Sequence, residues 1–92
     1  YYANIYSARS GKVKRIGRMR GFGNYIVIAH KKRYITVYAY LSKIYVTKGQ
    51  WVDKGQIIGK IKRKLHFQID RAGRPLNPIH YLPKRSKVYA YR

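Results

Sequence analysis

The amino-acid sequence predicts an all-β protein, and three features support this class. Runs of β-branched and aromatic residues recur along the 92 residues, which is typical of strands. Glycine-containing segments separate those runs, as tight turns do. No stretch of about 11 residues repeats its apolar positions at the spacing of a helix. A chain of this length suits one compact domain with an antiparallel, sandwich-like or barrel-like sheet and little or no helix.

Short apolar or alternating runs predict the individual strands. They cover residues 5–8, 11–16, 25–30, 33–41, 43–46 and 65–70. Gly21–Asn24 ("GFGN") predicts a turn, because glycine and asparagine tolerate positive φ at little cost. Lys31–Arg33 separates two strongly β-forming runs and predicts a hairpin. A small repeat, Lys48–Val52 and Lys54–Ile58, twice places a glycine turn before apolar residues and predicts two tight corners.

The chain carries far more positive charge than a small soluble domain needs. It has 22 lysines and arginines against two acidic residues, for a formal charge of +20, whereas solubility requires a magnitude of only about 2–8. The excess indicates an anionic partner, and charge alone does not choose among nucleic acid, anionic lipid and acidic cell-wall polymer. The candidate anion-binding residues are Lys12, Lys14, Arg15, Arg18, Arg20, Lys31, Lys32, Arg33, Lys62, Arg63, Lys84 and Arg85.

Several kinds of site are excluded or disfavoured. The chain has no cysteine, which excludes disulfides, thiolate zinc sites and cysteine nucleophiles. Asp53 lies in a turn where a solvated carboxylate is expected. Asp70 precedes the "RAG" turn, where we expect it to accept a hydrogen bond or to pair with a neighbouring arginine. The serines lie in no nucleophile elbow and the glycines do not follow a phosphate loop. No apolar run approaches the roughly 18 residues of a membrane span.

The three histidines are the remaining candidates for chemistry. His30 ends an apolar strand at the hairpin and His80 lies in a proline-bounded irregular segment. In such places a histidine is more often a surface or turn residue than a metal ligand. His66 alternates with Leu65 and Phe67, so we expect it on the opposite face of its strand from both. A catalytic zinc takes three protein ligands and an open position, so His66 alone does not make a zinc site.

Two long stretches resemble a known family. The segments "ARSGKV", "GFGN", "IAH", "YAYLS" and "VTKGQWVDKGQIIG" resemble, in order, "A-x-x-G-x-V", "G-x-G-N", "I-x-H", "Y-A-H-L-S" and "V-x-x-G-x-x-V-x-x-G-Q-x-I-G". The segment "LHFQIDRAGRPLNPIHYL" resembles "L-H-F-E-I-R-x-x-G-x-x-x-N-P-x-x-Y-L". The chain therefore looks like a LytM domain, the fold of lysostaphin-type zinc endopeptidases of bacterial cell walls. It is most similar in character to the NlpD and EnvC group, whose LytM domains activate cell-wall amidases and do not cut peptidoglycan themselves.

The resemblance also implies which site residues are kept and which are replaced. Active members take two zinc ligands from an H-x-x-x-D motif, which would precede residue 1 and is absent from these residues. Tyr40 replaces the catalytic histidine of "Y-A-H-L-S", and Lys64 replaces the first histidine of "H-L-H". Only His66, the last ligand position, is kept. A lysine cation opposes zinc and cannot relay protons as imidazole does near neutral pH, and a tyrosine phenol is a poor base there.

The resemblance further implies a change in the groove itself. Relatives carry a loop before "L-H-F-E", whereas here "IGKIKRKLHF" joins the strands directly, which removes one wall of the usual groove. We expect residues 1–92 to form a single LytM-like domain that lacks its N-terminal portion.

The resemblance and the charge favour different functions. The first hypothesis is a non-catalytic LytM-like domain without metal or other cofactor, located in the periplasm or cell envelope. Its partners would be a peptidoglycan amidase, which it activates, or peptidoglycan and other anionic envelope polymers. The alternative is a strongly basic β domain that binds RNA, a ribonucleoprotein or DNA, because the charge exceeds what the resemblance requires. A zinc endopeptidase completed by upstream residues is a further alternative.

Overall fold

The computed structural model describes residues 2–77, which form seven strands and one short 3-10 helix. The strands are β1 (Ala3–Tyr6), β2 (Gly11–Met19), β3 (Gly23–Ala29), β4 (Tyr34–Ile44), β5 (Trp51–Val52), β6 (Ile57–Arg71) and β7 (Arg74–Pro75). They form one antiparallel sheet in the order β1-β6-β4-β3-β2-β5, with β7 paired to the end of β6. The all-β prediction is confirmed. Between residues 2 and 77, no helix has the length and apolar character needed to cross a membrane.

The core lies on the inner face of this curled sheet. Alternate residues of the long strands point into it, among them Ile26 and Ile28 on β3 and Phe67 and Ile69 on β6. The ring centres of Tyr38 and Phe67 lie 5.2 Å apart at its middle. Burying one large apolar side chain stabilises the fold by roughly 1.5–3 kcal/mol. Because successive side chains of a strand point to opposite faces, packing of these residues in the core places their neighbours on the outer face of the sheet.

β6 joins two segments that the sequence suggests as separate strands. Leu41 pairs with Ile61 and Ala39 pairs with His66, so two steps along β4 are matched by five along β6. The extra residues of β6 include the exposed stretch Lys62–Lys64, as in an extended β-bulge. The direct connection between the two segments is confirmed, but the predicted strand start at residue 65 is wrong. Pairing with β4 on both sides of the irregularity keeps β6 continuous.

The two halves of the short repeat form the same turn, as predicted. In the first half Gly49 has a φ of +90°, and the side-chain oxygen of Gln50 accepts a hydrogen bond of 3.1 Å from the Thr47 N–H. In the second half Gly55 has a φ of +81°, and Gln56 accepts a bond of 3.0 Å from the N–H three residues before it. Glycine supplies the positive φ that the turn needs, and the glutamine closes the turn.

Two polar side chains tie the loop before β2 to the sheet. The buried Tyr38 hydroxyl accepts a hydrogen bond of 2.9 Å from the Ala8 N–H. The Nδ1–H of His30 donates to the Ser10 carbonyl at 2.8 Å, and its Nε2 accepts from the Thr36 hydroxyl at 2.8 Å. Burial lowers the pKa of His30 and raises the pKa of Tyr38, so both stay neutral near neutral pH. His30 is thus a structural link and is more buried than an ordinary turn residue.

Candidate functional site

The outer face of the sheet carries a groove of about 480 Å³ built by β2, β3, β4 and β6. Small and branched apolar side chains of β3 and β4 line it, and β2 contributes basic side chains. The lining residues are Lys14, Arg15, Met19, Phe22, Tyr25, Val27, Val37, Ala39, His66 and Gln68. The alternation of strand residues places this groove on the face opposite the core.

His66 lies in this groove, on the face that the sequence predicts. Leu65 and Phe67 belong to the core cluster and His66 does not. Only 6% of the His66 surface is exposed. The Phe22 ring meets it edge-on at 5.2 Å between ring centres, and the Tyr40 ring meets it edge-on at 6.4 Å. Aromatic rings therefore surround the one ligand position that the resemblance leaves intact.

Tyr40 occupies an unusual backbone conformation. Its φ is +64°, a region that costs a residue other than glycine about 1–2 kcal/mol. Its N–H donates a hydrogen bond of 2.8 Å to the Phe22 carbonyl, and the two ring centres lie 5.7 Å apart. Gly21 and Gly23, with φ of +87° and +62°, allow the turn that brings Phe22 here. The turn after β2 and the irregularity in β4 thus hold each other in place.

Lys64 lies against Tyr40. Its Nζ is 4.5 Å from the centre of the Tyr40 ring, the geometry of a cation–π contact, worth about 0.5–1 kcal/mol at an exposed site. The two positions at which the resemblance predicts lost histidines therefore contact each other. An ammonium on an aromatic ring neither takes a proton from water nor passes one on near neutral pH.

The donor groups at this groove do not fit a zinc ion. His66 is the only imidazole among the lining residues, and none of them has a carboxylate or a thiolate. Within residues 2–77 no three histidine, cysteine or acidic residues group together as metal ligands would. Lys14 and Arg15 add positive charge to the same groove, which opposes a dication further. A catalytic zinc needs three protein ligands, and this part of the chain supplies one.

The predicted anion-binding residues lie on several elements of the fold. Those that the structure describes are all exposed, and they divide among β2 with its following turn, the 3-10 helix, and the irregular part of β6. These three groups are Lys12, Lys14, Arg15, Arg18 and Arg20; Lys31, Lys32 and Arg33; and Lys62 and Arg63. Of these, only Lys14 and Arg15 line the groove. Lys84 and Arg85 lie outside the described residues, as does His80. Anion binding by this whole set of lysines and arginines stays a prediction.

Sequence reasoning missed two features of the groove. Phe22 is 37% exposed and lies against His66. The segment "GFGN" predicts only a turn, and the one feature of the sequence that could have indicated this contact is an aromatic residue between two turn glycines.

The second feature is on β6, where Gln68 donates a hydrogen bond of 3.1 Å to Asp70. The donor to Asp70 is thus neither the following turn nor a neighbouring arginine, as the sequence suggests, but Gln68, because residues 66, 68 and 70 share one face of β6. The solvated position predicted for Asp53 is confirmed, and it accepts a bond from Trp51.

Comparisons with known proteins agree with the resemblance. The sequence pattern of peptidase family M23 matches residues 1–78. The chain is 36% identical over 88 residues to the murein hydrolase activator NlpD of Escherichia coli K12, which covers 88% of this chain and 23% of NlpD. It is 41% identical over 86 residues to the lipoprotein YgeR of the same organism, covering 86% of this chain and 34% of YgeR.

A solved structure supports the fold as well. Csd3 of Helicobacter pylori superposes with a TM-score of 0.78 at 36% identity, covering 94% of this chain and 25% of Csd3. The chain spans about a third or less of the length of each of these three proteins.

Proposed function

Because the chain belongs to peptidase family M23, we propose that it is a non-catalytic member of that family which activates a peptidoglycan amidase by binding it at the groove. The observation that carries this proposal is the contact between Lys64 and Tyr40. At these two positions an active member would hold the histidines that move protons. Here a cation and a phenol take their place, beside a single imidazole.

The same donor set argues against hydrolysis by these residues. A bound zinc ion would supply an activated water. Among the residues that line the groove, only His66 has a side chain of the kind that binds zinc. The proposal therefore assigns His66 a packing role, between the rings of Phe22 and Tyr40. A remnant ligand held by aromatic rings shapes the groove and performs no step of a reaction.

The shape and chemistry of the groove support a protein segment as its ligand. A volume of about 480 Å³ lies within the range of ligand-binding pockets. Val27, Val37 and Ala39 supply an apolar lining, while Met19 and Phe22 are 49% and 37% exposed beside it. Exposed apolar and aromatic side chains with basic neighbours are typical of protein-binding surfaces. A segment with apolar anchors would bury these side chains.

Two further observations support a place in the bacterial cell envelope. The relatives NlpD and YgeR carry the names murein hydrolase activator and lipoprotein, which favours the periplasm or the envelope for this chain. The formal charge of +20 favours attraction to anionic envelope polymers, so we propose cell-wall binding as a second contribution of the same domain. We keep a single domain over residues 1–92 as a prediction.

The test is stimulation of a purified cell-wall amidase that acts on dye-labelled peptidoglycan. We expect the protein to increase dye release when the amidase is present, and to release none by itself. Met19→Glu should lower the stimulation about fivefold, because it places a carboxylate in an apolar contact, and a loss of about 1 kcal/mol in binding free energy corresponds to roughly that factor. Tyr45→Glu is the matched control, because Tyr45 is also 49% exposed and does not line the groove.

Two results would contradict the proposal. One is release of dye by the protein alone in the presence of zinc, which would make it an enzyme. The other is an equal loss of stimulation in the two glutamate variants, which would mean that the groove is not the binding surface.

A further inference from the structure

We propose that the free edge of β2 binds an extended acidic segment of a partner protein, which adds a strand to the sheet beside the groove. The proposal rests on the proposed function only in taking the groove as a protein-binding site. Its own basis is the pairing of β2 and the charges along it.

β2 is paired on both sides only over its first residues. β5 pairs with Gly11 and Lys12 and with no later residue of β2. The Val13 N–H donates to the Gln50 carbonyl at 2.9 Å, and the Val13 carbonyl accepts from the Gly49 N–H at 2.8 Å. Lys14 lies at a register shift between Val13 and Arg15. From residue 15 to residue 19, β2 pairs with β3 on one side, and no strand between residues 2 and 77 pairs with the other. Alternate residues of such an edge turn their N–H and C=O groups outward, ready to pair with another strand.

This edge borders the groove directly. Lys14, Arg15 and Met19 line the groove from β2. Gly17 leaves space for the Tyr25 ring, because a Cβ at Gly17 would lie 2.8 Å from the Tyr25 hydroxyl oxygen. A strand added to β2 would therefore extend the groove wall, and alternate side chains of that strand would lie beside Arg15 and Met19. Main-chain bonds would supply affinity and the groove-facing side chains would supply specificity.

The charges along the edge favour an acidic strand. Lys14, Arg15 and Arg18 are exposed on β2, and Arg20 follows in the turn. Lysines and arginines on an edge strand commonly prevent self-association. The same charges attract a strand of opposite sign, because neither acidic residue of the chain lies on β2.

Charge also selects the occupant among the strands that could cover this edge. A second copy of the chain would bring the same basic edge and would be repelled. Residues 78–92 of this chain contain no acidic residue. They carry Lys84, Arg85, Lys87 and Arg92. The occupant that fits is therefore an acidic segment of another protein, with an apolar residue opposite Met19.

The test uses the full chain and a short blocked peptide of alternating valine and glutamate residues as the probe. Amide hydrogen exchange, read by NMR, should slow at least about tenfold at alternate amides of Arg15–Met19 when this peptide binds. A peptide with lysine in place of glutamate should have no effect. Two further acidic peptides carry N-methyl groups on alternate residues, one along each edge of the peptide strand. The peptide methylated on the edge that pairs with β2 should lose binding, because methylation removes the N–H donors that β2 needs, and the other should still bind.

Charge reversal supplies the matched variants. Arg15→Glu and Arg18→Glu should each weaken peptide binding about fivefold at low salt, since reversing a charge turns an attraction of up to about 1 kcal/mol into a repulsion. Arg74→Glu, on the exposed strand β7, should leave binding unchanged.

Four results would overturn the proposal. The amides of Arg15–Met19 could already be protected in the free protein, which would mean that residues 78–92 or a second copy covers the edge, and sedimentation would separate these two. The N-methylated peptides could bind as tightly as the parent, or Arg74→Glu could weaken binding as much as Arg15→Glu. Peptide binding at β2 without amidase stimulation would refute only the proposed function. Amidase stimulation without exchange protection would refute only the strand addition.

Discussion

Replacing Tyr38 by phenylalanine removes one hydroxyl from the middle of the protein and leaves the ring in place. Tyr38 is 0% exposed, and Ala8, whose N–H donates to the hydroxyl at 2.9 Å, is 2% exposed. Tyr38→Phe therefore leaves a buried N–H without its acceptor. The ring keeps its contact with Phe67, at 5.2 Å between ring centres, so the loss is confined to the polar interaction.

The expected cost is the desolvation penalty of that buried N–H, about 1–3 kcal/mol in the free energy of unfolding. For a domain of this size, each kcal/mol lowers Tm by about 4–8 °C. Urea unfolding followed by circular dichroism measures the change, and the m-value should not change because the same surface is exposed on unfolding. Tyr45→Phe is the control, since Tyr45 is 49% exposed and loss of its hydroxyl should change the free energy by less than about 0.5 kcal/mol.

The same substitution has a signature at alkaline pH. Burial raises the pKa of Tyr38 above the usual value near 10. Its neutral form therefore contributes stability that is present below the unfolded pKa and is lost as pH rises through the folded pKa. Tyr38→Phe should lack this part of the alkaline loss. A destabilisation at neutral pH no larger than that of Tyr45→Phe would refute the reasoning, because the Ala8 N–H would then not depend on the hydroxyl.

Four further outcomes are expected. Burial lowers the pKa of His30 from 6.5. The stability that neutral His30 contributes is therefore present above pH 6.5 and is lost as pH falls through the folded pKa. His30→Asn should flatten the dependence of stability on acid pH, measured by circular dichroism. Gly11→Ala should lower the free energy of unfolding, measured in urea, by about 1–3 kcal/mol, because the added Cβ would clash with the Ala29 carbonyl oxygen. Tyr40→His combined with Lys64→His should not produce peptidoglycan hydrolysis in a dye-release assay with zinc, since the resemblance assigns these two positions to proton transfer and predicts His66 as the single zinc-ligand position within residues 2–77. Binding to RNA or DNA, measured by fluorescence anisotropy, should be weak at physiological salt, while peptidoglycan pull-down should persist there. Nucleic-acid affinity that falls steeply with salt, beside negligible peptidoglycan binding, would favour the nucleic-acid hypothesis.

The parts of the fold that local chemistry controls were predictable from the sequence. The hairpin at Lys31–Arg33 and the turns at Gly49 and Gly55 form where the sequence places them. Each depends on the conformational preferences of a few adjacent residues. Boundaries were less predictable where a strand crosses an irregularity, as β6 does at Lys62–Lys64, because pairing with a distant strand decides whether the chain stays extended.

The candidate site divides in the same way. The identities of Tyr40, Lys64 and His66 follow from reading the motifs in order along the chain. That Lys64 lies on the Tyr40 ring, and that Phe22 lies against His66, depends on the geometry of three separate strands and a turn. The structural role of His30 likewise depends on Ser10, which is twenty residues away in sequence.

The sequence by itself determined the all-β class and the family, and it predicts the replacement of two histidines, because these depend on residue types and on their order. Only the tertiary structure decided that Lys64 contacts Tyr40, that Tyr40 has a positive φ, and that no strand of residues 2–77 covers the basic edge of β2 beside the groove. The physical reason is that each of these features arises between segments far apart in the chain. Strand register and the packing of the core bring those segments together, and no local preference specifies either of them.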